Sequence, residues 1–180
     1  MSLDCEYGQP SKRTIEIGAA IFDVKTGKQL GSFNTYVNPN EPISEFITNL
    51  TTITDEKVKN APQILEAYNE LKKWHQSFKS TVHTPIVWGG GASNDSHHIW
   101  SESKDTEHNF MGFRTIDAKA LYQSLAIYNE MGLQGGLGKA CDKLGIGFEG
   151  VKHTALADAI NTFRLWHHLT VKLSKGHKDV

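Results

Sequence analysis

Two cysteines in 180 residues, a net charge of −1 and no long apolar run set the first limits on this chain. Cys5 and Cys141 cannot build a disulfide framework, and so few thiols point to a reducing, cytoplasmic setting. No stretch approaches the roughly 18 apolar residues that a membrane helix needs, and the opening residues do not read as a signal sequence. No membrane partner is expected. A near-neutral chain carries no global basic field, which speaks neither for nor against a polyanionic ligand, because bound metal cations can also draw phosphate. There is no internal repeat, low-complexity tract or linker. One domain is therefore expected over 1–174, with a polar tail at 175–180.

What is present is ordinary globular material, with 38% hydrophobic and 22% charged residues, enough at this length to bury a core. RTIEIGAAIFDV (13–24) is nearly continuous in apolar and β-branched residues and predicts a buried strand. LGSFNTYVN (30–38) alternates enough to pair with it across the TGK turn. PNEP then breaks the sheet. EFITNL and TDEKVKN predict two short helical pieces, the second capped by Thr54. Pro62 is expected at the first position of a longer helix whose stripe is Ile64, Leu65, Tyr68, Leu71 and Phe78. TPIVWGG (84–90) predicts a core strand, with a helix starting near Ser93 or Asn94. FRTID predicts a last strand, and AKALYQSLAIYNEM, GGLGKACDKLG and HTALADAINTFRLWHHLTVKL predict the closing helices. This order makes an α/β fold around a mixed sheet. MSLD leaves only three residues ahead of Asp4, so a first strand there is expected to be short, and MSL could be a junction rather than natural sequence.

In DCE (4–6), Asp4 and Glu6 stand two apart on that presumed strand, which turns both carboxylates to one face. Side by side they repel, and burying them unpaired is costly; a divalent cation that takes both as ligands resolves the conflict. An exposed strand end with solvated acids is the plainer alternative. Asp95 follows a strand and a glycine run, at the carboxyl end where α/β sheets commonly place their sites. It could equally cap the next helix. Asp158 is favoured near a helix N-terminus with or without a function. His153 precedes it by five residues, a rotation of about 140° on a helix, so the two converge only if His153 sits just ahead of the helix. Thr154 is the candidate N-cap.

Together, D-x-E, a D after a strand, and H-x-A-x-x-D-A resemble the DnaQ-like family of 3′–5′ exonucleases, in its DEDDh branch. The resemblance runs essentially the whole length. EIGAAIFD is similar to the family's second strand, and FRTIDAKALYQSL to its segment between the second and third motifs. SEFITNLTTITDEKVKNAPQILEAYNELKKW and FEGVKHTALADAINTFRLW resemble the branch containing the histone-mRNA 3′-end exonucleases. HTALADA is the most specific fragment.

The resemblance implies a ribonuclease-H-like fold, a central mixed sheet flanked by helices. It implies that Asp4, Glu6, Asp95 and Asp158 bind two Mg²⁺ or Mn²⁺ ions and that His153 is the general base for the attacking water. Hard oxygen donors without clustered Cys or His fit those metals better than zinc. The implied activity is removal of nucleoside 5′-monophosphates from single-stranded 3′ ends, of RNA or DNA. The alternative is a nucleic-acid-binding module on the same fold that no longer cuts, and retention of the whole cluster argues against it. Ala159 would be the small residue where the last helix packs closely under the site.

Some positions depart from the family pattern. Asn94 stands where an aromatic is frequent, Ala157 where the branch often has a second acid, and Tyr7 and Gly8 where small or threonine residues are usual. By resemblance the backbone near Tyr7 would face the terminal nucleotide, its ring stacking on a base or filling core space. GGLGK is not a phosphate loop, since Leu133 occupies its first glycine position. The pairs His97–His98 and His167–His168 point about 100° apart on a helix and are expected to face solvent rather than hold a metal. Lys139, Lys143, Lys152 and Arg164 are a candidate phosphate track.

Overall fold

The computed structural model describes residues 1–80, 83–90, 94–132 and 135–176. Its strands are β1 (Ser2–Tyr7), β2 (Thr14–Phe22), β3 (Gln29–Tyr36), β4 (Ile86–Val87) and β5 (Ile116–Asp117). They form one mixed sheet in the order β3-β2-β1-β4-β5. The β1–β2 and β2–β3 pairs are antiparallel, while β1–β4 and β4–β5 are parallel. The helices are α1 (Glu45–Thr51), α2 (Asp55–Val58), α3 (Ile64–Gln76), α4 (Asp95–Ser103), α5 (Ala118–Tyr128), α6 (Leu137–Lys143) and α7 (Ala155–Gly176). Among the described residues no helix is long and apolar enough to cross a membrane.

The continuous apolar run of β2 follows from its place in the sheet, where both faces are covered and every residue is buried. On one face Ile17 and Ala19, with Leu3 and Cys5 of β1, pack against Tyr68 and Leu71 of α3 and Ile99 of α4. On the other, Ala20 and Phe22 pack against Phe163, Leu165 and Leu169 of α7 and Tyr122 of α5. The rings of Phe22 and Phe163 stack at 3.8 Å. Each such side chain, fully buried, stabilises the fold by roughly 1.5–3 kcal/mol. This layering seats α7 across the centre of the sheet.

Several local expectations shift. Pro62 lies outside α3, whose N-cap is Gln63. Phe78 lies beyond its end, and Leu65 is 46% exposed, so the buried stripe is Ala67, Tyr68, Leu71 and His75. The core strand expected over 84–90 is ladder-paired only at Ile86–Val87. Asn94 caps α4 by accepting the His97 N–H at 3.2 Å, which leaves Asp95 free of that duty. Helix α7 runs through Gly176, two residues into the stretch expected as a tail; Ser93, Leu133 and 177–180 lie outside the described residues.

Candidate metal centre

Alternation along β1 sends Leu3 and Cys5 into the core beneath α3 and α4 and turns Asp4 and Glu6 to the opposite face. That face is crossed by the first turns of α7. Ala159 is fully buried there, and its carbonyl accepts from the Ser2 hydroxyl at 2.6 Å. The small side chain thus lies where the helix backbone meets β1, as expected.

His153 sits just ahead of α7 in the left-handed region, at φ +61°. Non-glycine residues rarely adopt this conformation, which tends to mark functional segments. From there the charge of His153 and its backbone N–H both hold the Asp158 carboxyl down against the effect of burial. One ligand atom from each of Glu6, His153 and Asp158 lies within 4.8 Å of the others, a grouping able to hold a metal ion. Thr154 stands at the N-cap position, its carbonyl accepting the Asp158 N–H at 3.0 Å, while its hydroxyl donates to the Val151 carbonyl at 2.8 Å. The Ala155 N–H goes instead to Glu16, at 3.0 Å.

Asp4 joins Glu6, Asp158 and His153 in lining a cavity of about 390 Å³. Lys139 and Lys152 stand on its wall with Trp88 and Phe148. Lys143 and Arg164 do not complete the expected track. Lys143 bonds the Gly132 carbonyl. Arg164 is committed to Glu149 at 2.8 Å, to Asn161 at 2.6 Å and to loop carbonyls. Asp95 is not part of that lining. The Tyr7 hydroxyl donates to its Oδ1 at 2.5 Å, and the Tyr7 ring meets His98 edge-on at 4.7 Å. His98 therefore turns inward, with Nε2 3.0 Å from the Lys12 carbonyl, while His97 faces solvent. His167 also turns inward, its ring stacked on Phe163 at 5.5 Å.

The acids are electrostatically one cluster. Burial, then Asp95, Asp158, Glu6 and Glu16, push Asp4 well above the usual carboxylate range. Burial, then Asp158, Glu16 and Asp95, raise Glu6 to about 8. Burial raises Asp158 to about 6 despite the opposing pull of His153, and Asp95 to about 6 despite the Tyr7 hydrogen bond and His98. Without cations such a group resists ionisation; divalent cations relieve the same repulsion. The donor set therefore fits hard metal ions.

Sequence reasoning overlooked Glu16, which is 3% exposed and lies opposite Glu6 in the β1–β2 register. Its signal was present: one acid inside an otherwise apolar strand.

The sequence profile of a family described as Exonuclease matches residues 2–166. A PolC-type DNA polymerase III from Staphylococcus haemolyticus is 31% identical over 173 residues, covering 91% of this chain. The chain spans only 11% of that relative's length. Among solved structures, cell-death related nuclease 4 (CRN-4) aligns over 94% of this chain and 62% of its own, with a TM-score of 0.80 and 16% identity. A 3′-exonuclease described as recognising the histone mRNA stem-loop aligns over 93% and 60%, with a TM-score of 0.73 and 20% identity. At such identities these two establish likeness of fold.

Proposed function

Since the chain belongs to the exonuclease family, we propose that it hydrolyses phosphodiester bonds at single-stranded 3′ ends of RNA or DNA and releases nucleoside 5′-monophosphates. The observation that carries this reading is the meeting of His153 with Glu6 and Asp158, within 4.8 Å, on a cavity that Asp4 also lines. In this reading Asp4, Glu6, Asp95 and Asp158 hold two Mg²⁺ or Mn²⁺ ions. Bound there, the pair would supply charge neutralisation at the scissile phosphate and a more acidic attacking water. His153, exposed and outside the helix, accepts that water's proton. Lys139 and Lys152 face the entering phosphates, and Trp88 and Phe148 offer flat surfaces to a base. The domain expected over 1–174 takes in the whole of α7, through Gly176. Its two free, buried cysteines suit a reducing, cytoplasmic compartment.

A 5′-labelled single-stranded oligonucleotide should shorten to a ladder that requires Mg²⁺ or Mn²⁺ and disappears in Asp4→Ala. Release of the label first, as a mononucleotide, would overturn the polarity. Binding without cleavage would favour the non-cutting module. Matched RNA and DNA strands, digested side by side, would assign the substrate, because discrimination rests on how the site meets the 2′-hydroxyl.

A further inference from the structure

Helix α7 begins on β2, and β2 is shaped to receive it. A Cβ at Gly18 would stand 2.1 Å from the Leu156 backbone nitrogen, so only glycine lets the helix come this close. Two residues earlier, Glu16 points to the same face of the strand. One of its carboxylate oxygens accepts the Ala155 N–H at 3.0 Å, and the other accepts from the Asn34 amide at 3.0 Å. A buried carboxylate opposite Glu6 is a like-charge pair, which destabilises a sheet. A residue chosen for packing alone would be apolar here, as Ala20 and Phe22 are farther along the same face.

We propose that Glu16 is a positioning residue for the metal centre: an acceptor on the sheet that fixes the first turn of α7, and with it Asp158 and His153. The coupling is short. Ala155 stands two residues after His153 and three before Asp158, and the ligand atoms of those two lie within 4.8 Å of each other. Any slide of the helix start displaces the metal ligand and the imidazole together. The Thr154 hydroxyl, turned to Val151, does not take over the duty. This role rests on the nuclease reading above, since positioning has kinetic consequences only if the site cuts.

The test compares Glu16→Met, similar in bulk but lacking the acceptor, with Glu16→Gln, which keeps it. In steady-state cleavage of a 5′-labelled oligonucleotide, Glu16→Met should lower kcat by about 10²-fold with KM nearly unchanged, while Glu16→Gln stays within about threefold of the parent. Amide exchange at Ala155 should quicken in Glu16→Met and remain slow in Glu16→Gln. If Glu16→Gln is as slow as Glu16→Met, the charge matters and the positioning role is wrong; an unimpaired Glu16→Met has the same consequence. Should Glu16→Met not fold, Ala155→Pro removes the same N–H from the helix side, at a position that suits proline. It must then show the kcat loss, and normal turnover overturns the proposal. If the parent protein cuts nothing, the nuclease reading falls, and exchange at Ala155 alone decides whether Glu16 anchors the helix.

Discussion

Asp158 and His153 reach the acidic cluster from the start of a 22-residue helix lying on the sheet, whereas Asp95 reaches it from the first residue of a nine-residue helix that follows a two-residue strand. The first side is held by buried contacts: Glu16 on the Ala155 N–H, Ser2 on the Ala159 carbonyl, and α7 pressed against Gly18. The second side is held at its carboxylate by the Tyr7 hydroxyl. The difference separates two ways of placing a ligand. One builds rigidity into the packing of backbone on backbone; the other leaves the backbone short of sheet partners and fastens the side chain itself. Changes on the two sides should therefore fail differently.

The largest effect is expected from the imidazole, which sits at the well-anchored side yet takes no part in anchoring it. In His153→Ala, fold and metal uptake should survive while single-turnover cleavage falls by about 10²–10⁴-fold. Calorimetric titration with Mn²⁺ sharpens the point. Parental uptake leaves His153 as the proton acceptor, while clearly weakened uptake would make it a ligand, as its distance from Glu6 and Asp158 permits.

On the other side, Tyr7→Phe removes one hydroxyl and leaves the ring in place against His98. Asp95 then loses its fastener, and metal affinity or turnover should fall by about 10–100-fold, as for other partners of metal ligands. Tyr7→Leu separates this from base stacking. If stacking dominates, Tyr7→Phe behaves as the parent and only Tyr7→Leu is impaired. A fully active Tyr7→Phe would also show that Asp95 is held by something besides this hydrogen bond.

The parts of the site that could be read from sequence are those set by local geometry. Two-residue alternation put Asp4 and Glu6 on one face, and helical rotation required His153 to stand off the start of α7, where it is found at φ +61°. The partners of these residues were out of reach because they come from distant sequence. Tyr7 and Asp95 are 88 residues apart, and Glu16 and Ala155 are 139 apart. No periodicity encodes such pairs. Arg164 shows the opposite error: a cation counted toward a phosphate track is consumed by Glu149, Asn161 and the carbonyls of the loop before α7. At β4, the apolar run of 84–90 overstated both burial, which is confined to 85–87, and the ladder, which is confined to Ile86–Val87.

The remaining expected effect is on the stability of the metal-free protein, and it separates Glu6 from Asp95 and Asp158 by pH. Glu6 is raised from its ordinary 4.5 to about 8, and Asp95 and Asp158 from 3.8 to about 6, with burial the first cause in each. Between the ordinary and raised values the folded chain binds more protons than the unfolded one, so stability falls as pH rises. In EDTA, Tm should therefore decline as pH rises, with the Asp95 and Asp158 loss running from 3.8 to about 6 and the Glu6 loss running from 4.5 to about 8. Asp95→Asn should soften the lower part of the decline and Glu6→Gln the upper part. Millimolar Mg²⁺ or Mn²⁺ should flatten the whole curve, because an ion that binds only the folded state stabilises it most where the carboxylates are ionised. A Tm that rises with pH in EDTA would mean that the acids are not crowded together, and that neither side of the cluster is built as described.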